Sequence, residues 1–347
     1  MEISVAIATH NGAPHLRAQL DSIAAQTMFP RDLVLSDDAS TDTTVEIAEG
    51  FAQTAPFPVR IFRNAVALGI RDNFLNAARR CEAPVVAFCD QDDVWLPEKI
   101  YLLAGVFEDR AVSLAVHSAF VADAEMRRTG QRFPAYSRTV KSPALRTDPY
   151  FLSWGFSMAF KKSVLPVIDY VLKIVGARPE AERLYHDRWV HMLAPAFGGT
   201  VQMRDDLAIY RQHAGNVVGA PPPADRMYFR DRAKLYHNLR AKQNSSKFQA
   251  ECLLLIANGN FDLFEDQARA GARYWDRVSR TFAGRADLYG DQLAAHELWR
   301  AFLNLLAQRG YRTRSRGGLG LTSLVRDVLH LFGRAARPRI GPCGKDG

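Results

Sequence analysis

The first half of the chain alternates short apolar runs with amphipathic ones. Residues 3–9 read as a buried strand, 15–26 as a helix, 33–36 as a second strand and 42–53 as a helix capped by Ser40 or Thr41. The alternation continues with strands over 59–62, 85–89 and 114–121 and helices over 71–80 and 97–107, the last opened by Pro97. Strands separated by helices in this way predict a mostly parallel α/β sheet, whose ligands bind beyond the carboxyl ends of the strands. Three of these strands run into polar clusters: Thr9-His10-Asn11-Gly12, Asp37-Asp38-Ala39-Ser40 and Asp90-Gln91-Asp92-Asp93. A parallel sheet would bring all three to one cleft.

The pattern then weakens. Residues 122–150 are polar and dotted with proline, which predicts a loop over that cleft. A helix follows near 163–175, another begins around Asp187, and two short strands cover 201–203 and 207–211. Ala220-Pro221-Pro222-Pro223 marks a boundary, beyond which helical patterns occupy 227–245, 247–258, 262–282 and 288–308. The organisation expected is an α/β domain over 1–220 and a helical domain over 221–347.

With 347 residues, 48% of them hydrophobic, the chain can bury one large core or two smaller ones. No run of about 18 apolar residues predicts a spanning helix, and MEISVAIATHNG enters a strand pattern without the basic start of a signal peptide. Cys81, Cys89, Cys252 and Cys343 have no metal-binding spacing and read as reduced thiols of a cytoplasmic protein.

The net charge of +8 would suggest nucleic acid if it were spread along the chain. Residues 301–347 instead carry eight arginines and Lys345 against Asp327 and Asp346, so nearly all of the excess lies in the tail. There Leu321, Leu324, Val325, Val328, Leu329 and Phe332 recur at helical spacing, between Arg312, Arg314 and Arg316 on one side and Arg334, Arg337 and Arg339 on the other. Two readings fit: a basic amphipathic helix lying on an anionic membrane surface through 310–340, or a helix packed on its own domain. The tail lacks stacking aromatics and any nucleic-acid module, so nucleic acid is not an expected partner.

Three carboxylates in four residues repel one another, and chain stability gives no reason to gather them. A hard cation, Mg²⁺ or Mn²⁺, wants oxygen ligands of this kind and shares them with phosphates. Taken alone, the cluster is equally a surface turn whose Asp93 helps to cap the next helix.

Seven segments occur in an order that resembles the family-2 glycosyltransferases of GT-A fold. They are IATHNG (7–12), LSDDASTDTT (35–44), ALGIRDNF (67–74), FCDQDDVW (88–95), WGFSMAF (154–160), HDRW (186–189) and YRQHAGNVVG (210–219). DQDDVW with HDRW and YRQH is most similar to bacterial rhamnosyltransferases of cell-wall and O-antigen polysaccharide.

The resemblance implies a sugar nucleotide across the strand ends. Thr9 and Asn11 would line the base pocket, Asp38 would accept the pyrimidine N3–H, and Arg71 with Asn73 would lie by the base or ribose. Asp90 would serve the ribose or the metal, Asp92 would ligate the metal directly, and His213 would join it. Asp187 would be the general base that takes the acceptor proton. Trp154, Gly155, His186 and Trp189 would shape the sugar and acceptor pockets, and Arg211 would contact phosphate.

Tyr185 stands three residues before Arg188-Trp189, where the processive synthases of this family have Gln. A single addition is therefore expected: an inverting, metal-dependent transfer, from dTDP-L-rhamnose in the first instance, to a saccharide that is lipid-linked. The protein would work in the cytoplasm or peripherally on the inner membrane face. A UDP-hexose donor, or a sugar-nucleotide-binding protein without catalysis, are the alternatives.

Overall fold

The computed structural model describes residues 1–335 except 152, 217–218, 221–230, 260, 262–263 and 291–292. Four strands, β1 (Ile3–Thr9), β2 (Leu33–Asp37), β3 (Val59–Arg63) and β4 (Val85–Cys89), run parallel in the order β3-β2-β1-β4. Every residue of β1, β2 and β4 is buried. That is what a parallel sheet covered on both faces demands, and it is why these strands read as unbroken apolar runs. Thr9 pairs in register with Asp37, and Ile7 with Cys89. The three polar clusters therefore leave the sheet side by side.

The covering helices are α1 (Ala13–Ala24), α2 (Thr44–Ala52), α3 (Ile70–Arg80) and α4 (Lys99–Phe107). Leu16, Leu20 and Ile23 of α1 and Ile100, Leu103 and Phe107 of α4 enter the same core as β1, β2 and β4. α2 begins at Thr44, later than expected, and neither Ser40 nor Thr41 caps it. Asp42 accepts the Thr44 N–H at 3.1 Å, while Ser40 Oγ accepts the Asn11 N–H at 2.9 Å and the Thr41 N–H goes to Asn11 Oδ1 at 2.9 Å. The two hydroxyl residues stitch the β1 and β2 loops together. α4 starts two residues after Pro97, because Pro97 and Glu98 form a turn, and a short strand, β5 (Val94–Trp95), precedes that turn.

The sheet continues through β9 (Met158–Lys161), β6 (Val112–Ala122) and β10 (Gly199–Arg211), with β5 at the edge. β9 is antiparallel to both β4 and β6, and β10 is parallel to β6. The carboxyl end of β10 thus reaches the same side as those of β1, β2 and β4.

The 122–150 segment is not simply a loop. It carries β7 (Arg128–Arg132), which pairs with β6, and β8 (Val140–Ser142), which pairs with β10. Both are largely solvent-exposed, so no apolar pattern announced them. The two strands expected over 201–211 are one strand whose register shifts near Met203 and Asp206, where exposed Arg204 and Asp205 interrupt the pattern.

After β9 come α5 (Leu165–Val175), α6 (Pro179–Glu182) and α7 (His186–Phe197), then α8 (Arg232–Ala257), α9 (Glu265–Tyr289), α10 (Ala295–Ala307) and α11 (Leu321–Ala335). α8 joins the two helices expected over 227–245 and 247–258. Ser246 Oγ donates back to the Lys242 carbonyl at 2.7 Å, so its hydroxyl is satisfied inside the helix.

The chain forms two compact units: Met1–Pro222 with Leu253–Arg269, and Pro223–Cys252 with Ala270–Gly347. Among the described residues no helix is long and apolar enough to cross a membrane. Cys81, Cys89 and Cys252 are buried. Cys343, Arg337 and Arg339 and most of the expected proline boundary lie outside the described residues.

Candidate active site

β4 is driven into the core by Val85–Cys89, and its next residues must emerge at the sheet edge. Asp90, Asp92 and Asp93 each present a carboxylate oxygen there, all within 4.8 Å of one another. β10 supplies the other wall: Asp93 Oδ1 accepts the Arg211 N–H at 3.1 Å, and His213 Nε2 lies 2.8 Å from Asp92 Oδ2. Asp93 Oδ2 is buried with no hydrogen-bond partner.

Burial, with Asp92 and Asp187 nearby, pushes Asp90 up to about 8. Burial, with Asp92 and Asp90 nearby, holds Asp93 well above the usual carboxylate range. A buried counter-charge comes from Lys99, whose Nζ donates to the Phe156 carbonyl at 2.7 Å and lies 3.6 Å from the Trp95 ring centroid. Burial lowers Lys99 to about 7, against the pull of Cys89, Asp93 and Asp90. The crowded carboxyl groups therefore keep a proton near neutral pH, and one buried oxygen, Asp93 Oδ2, is left orphaned. Oxygen donors plus one imidazole suit a hard divalent cation, which Asp92, Asp90 and His213 could hold. Lys99 was not singled out from sequence, where it looks like any residue at a helix start.

A cavity of about 750 Å³ opens beside this cluster. Of the residues expected at the nucleotide, Thr9, Asp38, Asn73 and Asp90 line it, as does Asp92. Asn73 is fixed by its own bonds, with Nδ2 donating to the Ser36 carbonyl at 2.9 Å and Oδ1 accepting from Asn64 at 3.0 Å. Asp38 Oδ1 accepts from Leu68 N at 2.7 Å and Asn64 Nδ2 at 3.0 Å, and Oδ2 accepts from Gly69 N at 2.8 Å. A carboxylate offers about four lone-pair sites, so one on Oδ2 is left for an incoming N–H donor. A Cβ at Gly12, beside the cavity, would sit 2.3 Å from Gln91 Oε1 and displace that side chain. Gln91 in turn accepts from His10 N at 2.9 Å and holds the β1 and β4 loops together.

Asn11 and Arg71 do not line the cavity. Asn11, at φ +48°, spends its side chain on Thr41, and Arg71 is held bidentate by Asp72 at 2.8 and 2.9 Å. Arg211 is also turned away. Its guanidinium donates to the Asp92 carbonyl at 2.8 Å and the Ala124 carbonyl at 3.0 Å, a bracing role. The exposed cations that do line the cavity are Arg183 and Arg188. Arg188 belongs to the HDRW segment, which is the signal that could have found it.

Across the cavity, α7 begins at His186 and places Asp187 in its first turn. Asp187 is nine-tenths buried, and its Oδ1 has no hydrogen-bond partner. Burial raises its pKa, although Arg188 and the backbone N–H groups of Arg188 and Gly155 favour the charged form. The competition between helix N-terminus and burial is thus won by burial. His186 stacks on Phe74 with ring centroids 3.7 Å apart, edge-on to Phe88 at 4.6 Å, and burial lowers its pKa to about 3. It is a neutral imidazole with neither ring nitrogen hydrogen-bonded. Gly155 makes room for it, since a Cβ there would lie 2.5 Å from Nε2. Trp154 and Gly155 line the cavity, whereas Trp189, with no exposed surface, belongs to the core.

Residues 4–166 match the family model of Glycosyl transferase family 2. An uncharacterised glycosyltransferase of Nostoc sp., alr2836, is 29% identical over 224 residues, covering 62% of this chain and 66% of that protein. This is just under two thirds of the relative's length. The dTDP-rhamnosyl transferase RfbG of Shigella flexneri is 26% identical over 225 residues, covering 62% of this chain and 74% of RfbG. Among solved structures, residues 1–349 of S. aureus TarS superpose with a TM-score of 0.52 at 16% identity, over 95% of this chain and 89% of that one. That likeness is one of fold. Residues 4–166 of the chain thus belong to glycosyl transferase family 2, and the fold is GT-A.

Proposed function

We propose that the protein transfers a single sugar, L-rhamnose from dTDP-L-rhamnose, to a saccharide acceptor carried on a lipid at the inner face of the cell membrane, in bacterial surface-polysaccharide synthesis. Residues 1–220 would be the catalytic domain and 221–347 a helical domain. One observation carries the reaction type: Asp90 and Asp92 after β4 and Asp187 at the start of α7, whose Oδ1 has no partner, line one cavity. The rhamnosyl donor is supported by the likeness to RfbG. A UDP-hexose donor is the second reading, favoured by the complex of the fold neighbour TarS with UDP-GlcNAc.

In this account Asp38, through its remaining lone pair, accepts the base N3–H, with Thr9 and Asn73 shaping the wall. Arg183 and Arg188 face the diphosphate. Asp92, Asp90 and His213 would hold a Mg²⁺ or Mn²⁺ ion, which would supply charge stabilisation to the departing diphosphate. Asp187 takes the acceptor hydroxyl proton as that oxygen bonds to the sugar anomeric carbon. The bond from that carbon to the diphosphate oxygen breaks, the diphosphate keeps the electron pair, and the configuration inverts. Burial suits Asp187 to this work, because a raised pKa makes a carboxylate a better base.

The test is Asp187→Asn. Release of nucleotide should fall by about 10²–10⁴-fold while donor affinity, measured by calorimetry, stays the same. Unchanged turnover in that variant would remove Asp187 from the chemistry.

A further inference from the structure

Helix α11 is mounted with its polar side inward. Ser323, Asp327 and Leu331, at i, i+4 and i+8, are buried, whereas Leu321, Val325, Leu329 and Phe332 are 53–72% exposed. The rotation is fixed by one buried cluster. Asp327 receives Arg285 Nε at 2.9 Å and Nη2 at 3.0 Å, the Tyr289 hydroxyl at 2.6 Å and the Tyr311 hydroxyl at 2.8 Å. Four charge-assisted or hydroxyl donors on one carboxylate hold the helix in this orientation.

The exposed apolar row is not isolated. Leu303 and Leu306 of α10 are also exposed, and Phe332 meets Trp299 of α10 with ring centroids 5.6 Å apart. At the other end of the pair Leu319 N donates to the Gly310 carbonyl at 2.9 Å. α10 and α11 therefore form an antiparallel hairpin with two adjoining apolar ridges, more than scattered surface residues would give.

Charge selects the occupant. Between 295 and 335 the chain has seven arginines against Glu297 and Asp327. Asp327 is buried on Arg285, and Glu297 accepts the Ala294 N–H at the start of α10. The loop that joins the helices, next to the ridges, carries the exposed Arg309, Arg314 and Arg316. A second copy would bring the same arginines face to face across a two-fold axis. An anionic bilayer accepts both features, apolar ridges into the acyl boundary and guanidinium groups onto the headgroups.

We propose that the α10–α11 hairpin is a membrane-docking surface for anionic phospholipid, inserting Leu303, Leu306, Leu321, Val325, Leu329 and Phe332 with the arginine-rich loop at the headgroups. Docking needs neither donor nor metal, so its test is independent of the transfer reaction.

The experiment is co-sedimentation of the full chain with phosphatidylcholine vesicles, with and without phosphatidylglycerol, paired with light scattering. Wild type should bind the anionic vesicles about tenfold or more tightly than the neutral ones. The Val325→Glu/Leu329→Glu double variant, whose changes fall on exposed positions, should lose binding to both while keeping its circular dichroism spectrum and melting temperature. Arg309→Ala/Arg316→Ala should weaken only the anionic arm. Wild type that ignores anionic vesicles, or a double-glutamate variant that binds them as well, overturns the proposal. So does a dimer that the double-glutamate variant converts to a monomer, which would assign the face to a second copy.

Discussion

Divalent-cation affinity should climb steeply through neutral pH, because the cluster after β4 holds a proton that the ion must displace. Asp90 titrates at about 8, so its carboxylate is about 1% ionised at pH 6, about 9% at pH 7 and half ionised at pH 8. A carboxylate ligand binds only in its anionic form. The sign follows directly: below the raised pKa proton and metal compete, and above it the competition ends. Apparent Mn²⁺ affinity should therefore rise about tenfold from pH 6 to 7 and about fiftyfold from pH 6 to 8, then level off. An ordinary carboxylate, titrating near 4, would give no change across this window. Calorimetry at three pH values, each in two buffers of different protonation enthalpy, reads affinity and proton count together. Close to one proton should leave per ion at pH 7, and Asp90→Asn should bind weakly with little pH dependence. An affinity that is flat between pH 6 and 8, with no proton released, would refute the argument that burial and mutual repulsion charge this site for a cation.

Three further outcomes follow from the geometry. Burial raises the Asp187 pKa, so kcat/KM for transfer should fall as pH drops through a value above the usual carboxylate range, and stopped assays across acidic pH would locate that limb. Gly155→Ala places a methyl 2.5 Å from His186 Nε2, and the stack on Phe74 and Phe88 leaves the ring nowhere to go. It should cost about 1–3 kcal/mol in a denaturant melt and impair turnover. Asp327→Ala leaves Arg285, 7% exposed at the side chain, without its carboxylate, and should cost about 3–5 kcal/mol of the helical unit's stability in the same measurement.

The parallel half of the fold was legible because its strands are buried on both faces. β1 and β4 begin and end where the apolar runs do. Pattern failed where burial was partial: β7 and β8 are polar edge strands, and the bulge in β10 interrupts its alternation with Arg204 and Asp205. At the site, motif membership located Asp38, Asp90, Asp92, Asp187 and His213 in one neighbourhood. It could not say which way a side chain points. Arg71, Arg211 and Trp189 sit in motif segments, yet each is turned to a structural partner or the core. Arg188, beside them, faces the cavity. Lys99 shows the same limit, since only the folded core turns a helix-start lysine into the counter-charge of an acid cluster. In the tail, periodicity found an apolar face. That the face turns outward depends on Asp327 meeting Arg285, a pairing 42 residues apart that no local pattern encodes.

The central claim is that the acid cluster and the cavity beside it hold a sugar nucleotide through a divalent ion. Its most direct test is calorimetric titration of dTDP-L-rhamnose, UDP-glucose and UDP-GlcNAc, each with Mn²⁺ and again with EDTA. Saturable binding of dTDP-L-rhamnose that EDTA abolishes is the predicted result, and the same behaviour from a UDP-sugar alone would move the donor to a UDP-hexose. Failure of every donor, and of free dTDP and UDP, in the presence of Mn²⁺ would contradict the account.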